Sequence, residues 1–172
     1  HRTVVSCVNQ VGVDVNMASA ALLRYVSGMR SRTARNVVAY RAEHGPFATR
    51  EDLRKVEGIG PKVFEQCAGF LRVHNGAEPL DATGIHPEAY GIVRRLAETA
   101  GKDYPALIGD GQALDGLDLA GFAEGAIGAH TLEDIKRELA RPARDPRKEF
   151  RVPQFLPDVT SVDQLEEGMD ME

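Results

Sequence analysis

The sequence predicts an all-α protein that contains a duplicated helical unit, then a small helical adaptor, then an extended acidic tail. One observation is an internal repeat, because residues 53–70 match residues 23–40 in the placement of glycine and apolar residues. Another is that apolar residues recur at helical spacing within each copy. A third is the change of composition after Asn75, where a loop leads into a further amphipathic helical pattern.

Length and composition are typical of a soluble globular chain with one sizeable domain or two small ones. The 172 residues are 42% hydrophobic and 27% charged, which is enough to bury a core without disulfide bonds. No apolar run approaches the ~20 residues that span a bilayer. The two cysteines are far apart and show no metal-ligand spacing. We therefore expect a cytoplasmic protein with no membrane contact, no metal and no cofactor.

The charge is unevenly distributed along the chain. The formal net charge is −5, yet residues 22–72 carry ten Lys/Arg against five Asp/Glu. The stretch from residue 153 to residue 172 carries six acidic residues and no basic one. This asymmetry suggests one basic working surface on an otherwise acidic protein, although solvated helix faces would give the same counts.

Each copy of the repeat has the same order of parts: a short helix, a glycine-bearing turn and a longer amphipathic helix. The residues that align at a spacing of thirty are Leu23, Val26, Gly28, Met29 and Tyr40 with Leu53, Val56, Gly58, Ile59 and Phe70. Asn16 is expected to cap a helix from Met17 to Val26, and Phe47 to enter the core. Two such copies, packed about a pseudo-two-fold axis, bury apolar faces that neither buries alone.

We divide the chain into four segments. They are residues 1–15, a helical lead-in from an upstream domain; residues 16–75, the duplicated unit; residues 76–145, the helical adaptor; and residues 146–172, an extended acidic linker. In the adaptor, Pro87 and Gly101 should bound one helix and Thr131 should cap another. The basic, proline-containing stretch 141–151 is either a semi-rigid linker or an arginine patch for a nucleic-acid backbone.

The second turn, Gly58-Ile59-Gly60-Pro61-Lys62, has the features of a phosphate site. Gly58 permits a positive φ, and Gly60 allows a ligand to approach the backbone without a Cβ in the way. Backbone N–H groups at the start of the next helix point the same way, and Lys62 can reach the same anion. Gly58, Ile59, Gly60 and Lys62 are therefore the first predicted binding residues.

The first turn supplies a second set: Gly28, Arg30 and Arg32. Arg30 stands where the second copy has its second glycine, so backbone approach is less open there. The two arginines either contact phosphate through their side chains, or this copy is purely structural.

These motifs resemble a known family. The pattern V-x-G-I-G-x-K, preceded by F-x-[ST]-x-x-x-L, resembles the helix-hairpin-helix motif, and its tandem form resembles the duplicated domain of competence-type DNA receptors and repair proteins. VVSCVNQVGVDVNMASAALL before the repeat, DATGIHPEAY after it and RPARDPRKEF further on look like the C-terminal half of Tex-type transcription accessory proteins. That likeness covers nearly the whole chain.

The resemblance implies nucleic-acid binding and a role in transcription. Tex-type proteins are also implied to carry an S1-type β-barrel after this region, to which most of the nucleic-acid binding is usually credited. The chain stops at EEGMDME, where that barrel would begin, so we expect an excised piece of a longer protein.

An enzymatic alternative is a helix-hairpin-helix DNA glycosylase, in which the motif lysine is followed about nineteen residues later by a catalytic aspartate. Lys62 and Asp81 stand at that distance. However, a second hairpin precedes the motif where a glycosylase would have a helical bundle, and there is no tryptophan to stack a flipped base. We therefore expect no enzyme.

Two functional hypotheses result. The first is sequence-nonspecific binding to a DNA or RNA backbone as part of a transcription accessory factor. The second is a rigid interaction or spacer module that positions an S1 domain, or contacts the transcription machinery, without touching nucleic acid. They differ in whether the basic residues of both hairpins meet on one exposed face.

Overall fold

The secondary structure is predominantly helical. A computed structural model describes residues 2–110, 112–115, 119–123 and 128–142. Its α-helices are α1 (Arg2–Val11), α2 (Ala20–Leu23), α3 (Ser31–His44), α4 (Pro61–Cys67), α5 (Tyr90–Ala100) and α6 (Ala129–Ala140). Short 3₁₀ helices cover Arg50–Lys55, Ala68–Phe70, Pro79–Ala82, Pro87–Ala89, Tyr104–Leu107 and Leu119–Phe122. The predicted all-α class is confirmed, with one small addition.

That addition is a pair of two-residue strands. β1 (Val13–Asp14) runs parallel to β2 (Leu71–Arg72), with Val13 opposite Leu71. A further backbone bond, from Val15 N to Arg72 O at 3.0 Å, extends the pairing. Strands this short show no alternation of polar and apolar residues, so the sequence did not indicate them. The pair joins the two ends of the duplicated unit.

The first hydrophobic cluster is built from both copies of the repeat. Aligned residues from the two copies are buried in it together: Leu23, Val26 and Met29 with Leu53, Val56 and Ile59. Phe47, from the segment between the copies, is also buried, as predicted, and stacks on Tyr40 with ring centroids 5.4 Å apart. Each such side chain contributes about 1.5–3 kcal/mol when it leaves water. One shared core therefore holds the two copies together.

The helix before the first turn is shorter than the sequence suggested. α2 begins after Ser19, whose Oγ accepts the Leu22 N–H at 3.2 Å, so Ser19 is the N-cap. Asn16 instead bonds the backbone of Phe47 twice: its Nδ2 donates to Phe47 O at 3.0 Å, and its Oδ1 accepts Phe47 N–H at 2.8 Å. The prediction that Asn16 caps a helix from Met17 was wrong, because this distant partner engages its amide.

A second hydrophobic cluster lies between α5, α6 and the 3₁₀ helices around them. Its fully buried members include Leu80, Val93, Leu96, Leu107, Leu132 and Leu139. Gly101 ends α5 in the left-handed conformation (φ 66°), as predicted for a helix C-terminus. The predicted cap Thr131 was wrong, because α6 begins two residues earlier, after Gly128.

A buried polar network joins the two clusters. Arg50 is fully buried, and its guanidinium donates to Ile85 O (2.6 Å), to Thr83 O and to the Tyr90 hydroxyl (3.1 Å). Asp81 accepts the Arg50 backbone N–H at 2.7 Å and the Tyr90 O–H at 2.6 Å. Burial lowers the pKa of Arg50 and raises that of Tyr90. We call Arg50, Asp81 and Tyr90 the junction network.

A second buried arginine lies beside this network. Arg72 donates to Gly69 O at 2.8 Å, and burial, followed by repulsion from Arg50, lowers its pKa to about 10. A Cβ at Gly12 would lie 2.5 Å from the Arg72 guanidinium carbon. The end of α1 is therefore held directly against β2.

Within the described ranges, no helix is long and apolar enough to cross a membrane. The same ranges hold no group of three or more His, Cys, Asp or Glu suited to a metal ion. The predicted tail at 146–172 and most of the basic stretch 141–151 lie outside the described residues.

Candidate functional site

The two hairpin turns have the same backbone geometry. In the first, Met29 N donates to Val26 O at 3.1 Å, and in the second Ile59 N donates to Val56 O at 3.0 Å. The glycine inside each turn has a positive φ, 77° at Gly28 and 94° at Gly58. The next helix begins at the same distance from each of these glycines, α3 at Ser31 and α4 at Pro61. The two copies therefore keep their thirty-residue spacing in the structure.

Each turn packs against the second helix of the other copy. A Cβ on Gly28 would lie 2.7 Å from Cβ of Gln66 in α4, and a Cβ on Gly58 would lie 3.2 Å from Thr33 Oγ1 in α3. Asn36 of α3 also donates from Nδ2 to Glu57 O at 2.9 Å, which holds the second turn in place. Glycine is thus required at both positions by conformation and by close approach.

This reciprocal packing creates one groove with a volume of about 860 Å³. Its walls are Gly28, Met29, Arg30, Arg32, Thr33, Asn36, Glu57, Gly58, Lys62, Val63 and Gln66. Four pairs of these residues stand thirty apart: Gly28 with Gly58, Arg32 with Lys62, Thr33 with Val63, and Asn36 with Gln66. The groove therefore has matching positions from both copies on its two sides.

The predicted binding residues occupy three kinds of position. Five of them line the groove together: Gly28, Arg30, Arg32, Gly58 and Lys62. Ile59 does not line it, because its side chain is only 3% exposed in the first cluster. Gly60 lies outside the groove wall, with an ordinary φ of −80° and no atom within 4 Å of where a Cβ would stand. Its missing side chain leaves open space beside the turn.

The groove is positively charged, with three basic residues and one acidic residue. Arg32 Nη2 lies 2.8 Å from Glu57 Oε1, and both side chains are more than three-quarters exposed, at 78% and 77%. Arg30 and Lys62 are exposed and, within the described part of the chain, have no ion-pair partner. Arg30 makes no side-chain capping bond to α3, and Gly60 has no side chain to cap α4. The free backbone N–H groups in the first turn of α3 and in the first turn of α4 thus have no side-chain cap.

Several groove residues were missed by sequence reasoning. Thr33, Asn36, Glu57 and Gln66 were not among the predicted site residues, although they form much of the wall. A usable signal existed, because Asn36 and Gln66 are both side-chain amides at matching positions of the repeat. Helical periodicity alone did not reveal them, since it separates buried from exposed faces but not one exposed face from another.

A third turn in the second cluster has similar geometry. Asp110 N donates to Leu107 O at 3.2 Å, and Gly109 has a φ of 88°. Asp110 stands at the position that Met29 and Ile59 occupy in the two groove turns. Its Oδ1 accepts the backbone N–H of Gln112 at 3.1 Å and that of Ala113 at 3.0 Å. A hydrogen bond from Lys102 lowers the pKa of this carboxyl. The Asp110 carboxylate therefore caps the backbone N–H groups that follow this turn, whereas no side chain caps the helix that follows either groove turn.

Asp81, the aspartate weighed as a glycosylase residue, is part of the junction network and does not line the groove with Lys62. The residue is 2% exposed, and its side chain accepts bonds from Arg50 and Tyr90. Arg50 Nε lies 3.9 Å from its Oδ1. These contacts give Asp81 a structural role in joining the two clusters.

Comparison with known families and proteins agrees with this geometry. Residues 8–72 match the helix-hairpin-helix motif, and residues 78–147 match a family described as an HHH domain. The second match covers the region expected to be a helical adaptor.

Among curated proteins, the chain is 49% identical over 166 residues to Protein tex of Bordetella pertussis, covering 96% of this chain and 21% of that protein. It is 43% identical to Transcriptional accessory protein Tex of Neisseria gonorrhoeae, covering 96% of this chain and 22% of the relative. It is 28% identical over 220 residues to human S1 RNA-binding domain-containing protein 1, covering 94% of this chain and 22% of the relative. The chain thus spans about a fifth of the length of these relatives.

Proposed function

Because the chain belongs to the Tex-type helix-hairpin-helix proteins, we propose that it binds a nucleic-acid backbone, DNA or RNA, without sequence specificity. The binding surface is the groove between the two hairpin turns. The chain acts as part of a transcription accessory factor, in keeping with the name of the Neisseria gonorrhoeae relative, Transcriptional accessory protein Tex.

The observation that carries this proposal is the convergence of both hairpins on one exposed groove. Arg32 and Lys62, at matching positions of the two copies, line it with Arg30. Contacts from such side chains and from backbone N–H groups hold phosphates and carry no base information. Among the described wall residues there is no aromatic ring on which a base could stack, which favours contact with the backbone.

The proposed role is binding without catalysis. The motif lysine and Asp81 belong to different parts of the structure, one exposed at the groove and the other buried in the junction network. We propose a matching division of the chain, in which residues 16–75 contact the nucleic acid and residues 76–145 fix their position.

A rigid spacer is the second candidate function, and the junction network favours it. Arg50 and Asp81 form a buried ion pair that bonds the backbone of both clusters. Such an arrangement fixes the relative orientation of two modules. This function needs no anion at the groove, so a binding measurement separates the two candidates.

The test is a fluorescence-anisotropy titration with labelled duplex DNA, single-stranded DNA and RNA over a salt series. We expect a Kd of about 10⁻⁴–10⁻⁶ M at physiological salt, with affinity falling as salt rises. Lys62→Ala should weaken binding and, with duplex DNA, reduce the salt slope by roughly 0.9, the value for one phosphate contact. Lys136→Ala is the matched control, because Lys136 lies on α6 in an ion pair with Asp115, outside the groove.

Two results would reject nucleic-acid binding at this groove. One is unchanged affinity of a folded Lys62→Ala variant for every probe. The other is no binding of any of the three probes by the wild-type chain at low salt, which would leave the spacer function. Circular dichroism of each variant provides the check on folding.

A further inference from the structure

The two sides of the groove differ in one respect that the repeat does not predict. Arg32 and Lys62 occupy matching positions, but Arg32 is paired with Glu57 at 2.8 Å. The position that matches Glu57 in the first copy is Ser27, which is neutral. Lys62 therefore has no corresponding carboxylate beside it, and within the described residues it has no ion-pair partner.

We propose that Glu57 is a built-in competitor for phosphate, which occupies Arg32 in the free protein and limits the affinity of the groove. This inference rests on the proposed function. A phosphate that reaches Arg32 must displace the Glu57 carboxylate. The side of the groove at Lys62 therefore binds a phosphate first, and the side at Arg32 binds a phosphate weakly.

The Glu57 carboxylate can be displaced from Arg32 by a phosphate, but it stays in the groove. Both partners of the ion pair are highly exposed, and exposed pairs are weak and screened by salt. A phosphate offers arginine charge-assisted bonds of the same kind and can take the place of the carboxylate. The backbone of Glu57, however, is held by the bond from Asn36 Nδ2 to Glu57 O at 2.9 Å. Its negative charge therefore remains near any bound phosphate and repels it.

Neutralising this one carboxylate should have two effects on binding. It frees Arg32 for a phosphate contact, and it removes the repulsion. For Glu57→Gln we expect binding to tighten by about tenfold at 50 mM salt and about threefold at 200 mM, with a salt slope steeper by roughly 0.9. Glutamine keeps the size of the side chain, and the position is exposed, so the substitution removes no buried packing.

The experiment is the same anisotropy titration with duplex DNA, single-stranded DNA and RNA as probes. Glu65→Gln is the matched control, because Glu65 is an exposed acid on α4 outside the groove. It removes the same charge and reports only the general electrostatic effect. Arg32→Gln is made alone and together with Glu57→Gln, which gives a double-mutant cycle.

We expect Arg32→Gln to weaken binding less in the wild type than in the Glu57→Gln background, where it should cancel most of the gain. Equal affinities of Glu57→Gln and Glu65→Gln would overturn the inference, as would a gain from Glu57→Gln that is as large without Arg32 as with it. If Lys62→Ala still weakens binding in that case, the proposed function stands while the role of Glu57 falls. If no probe binds to any variant, the proposed function fails and the inference with it.

Discussion

Replacement of Arg50 by methionine should destabilise the fold more than any single change at the protein surface. The side chain is fully buried, so its removal leaves the Asp81 carboxylate inside the protein without its cationic partner. It also leaves the carbonyls of Thr83 and Ile85 without their donors. Breaking a buried ion pair in this way costs about 3–5 kcal/mol. For a chain of this size that corresponds to a fall in Tm of roughly 6–20 °C.

The assay is urea unfolding followed by circular dichroism, with thermal melts in parallel. Arg35→Met is the matched control, because Arg35 is exposed on α3, and within the described residues its side chain has no hydrogen bond or ion pair. Its free energy of unfolding should stay within about 0.5 kcal/mol of wild type. The double variant Arg50→Met/Asp81→Asn should lose less than the sum of its single variants, because neither charge is then left alone.

A cost of less than about 1 kcal/mol for Arg50→Met would refute this reasoning. It would mean that water or a shifted side chain satisfies Asp81 at no penalty. Arg50 Nε already lacks a hydrogen-bond partner among the described residues, so the junction network is not fully satisfied. Its contribution is therefore the fixed orientation of the two clusters more than their stability relative to an apolar junction.

Three further predictions follow from single residues. Gly58→Ala should cost about 1–2 kcal/mol in unfolding free energy, because its φ is 94°, whereas Gly60→Ala, at a φ of −80° with open space around it, should be nearly neutral. Cys67 is buried and its pKa is raised to about 11, so peptide mapping after native iodoacetamide treatment at pH 8 should find it unmodified, and modified after unfolding in urea. Asp52 has its pKa lowered, first by the bond from Lys55, so the stability it contributes is present above its unfolded pKa and is lost as pH falls. The difference in urea midpoint between wild type and Asp52→Asn should therefore shrink below pH 4, and a difference that grows there would contradict this assignment.

The local features of the fold were predictable because their causes are local. Positive φ at Gly28 and Gly58 follows from the turn chemistry, and the thirty-residue register already placed both glycines at equivalent positions. The burial of Phe47 followed from an aromatic residue between two amphipathic helices.

The features that were missed depend on contacts between distant parts of the chain. Asn16 is a good helix cap by type, but its amide bonds Phe47, thirty-one residues away. Arg50 looks like an ordinary solvated charge at the start of a helix, and nothing nearby in the sequence indicates that Thr83 and Ile85 will enclose it. The residues that line the groove were predicted only in part. Its glycines and basic residues were identified from the sequence. Glu57 was not, because its position opposite Arg32 arises only when the two copies pack together.

The parallel pairing of β1 with β2 has a consequence for the path of the chain. The backbone leaves the end of α1 at Gly12 and returns at Arg72 to the same place, where the guanidinium rests on Gly12. The segment between these two points, which includes both hairpins, therefore begins and ends at adjacent positions. Units whose entry and exit adjoin tolerate circular permutation and transplantation. The pair of hairpins therefore has the entry and exit of an inserted unit, and the bonds from Arg50 to Thr83 and Ile85 tie that unit to the segment that follows it.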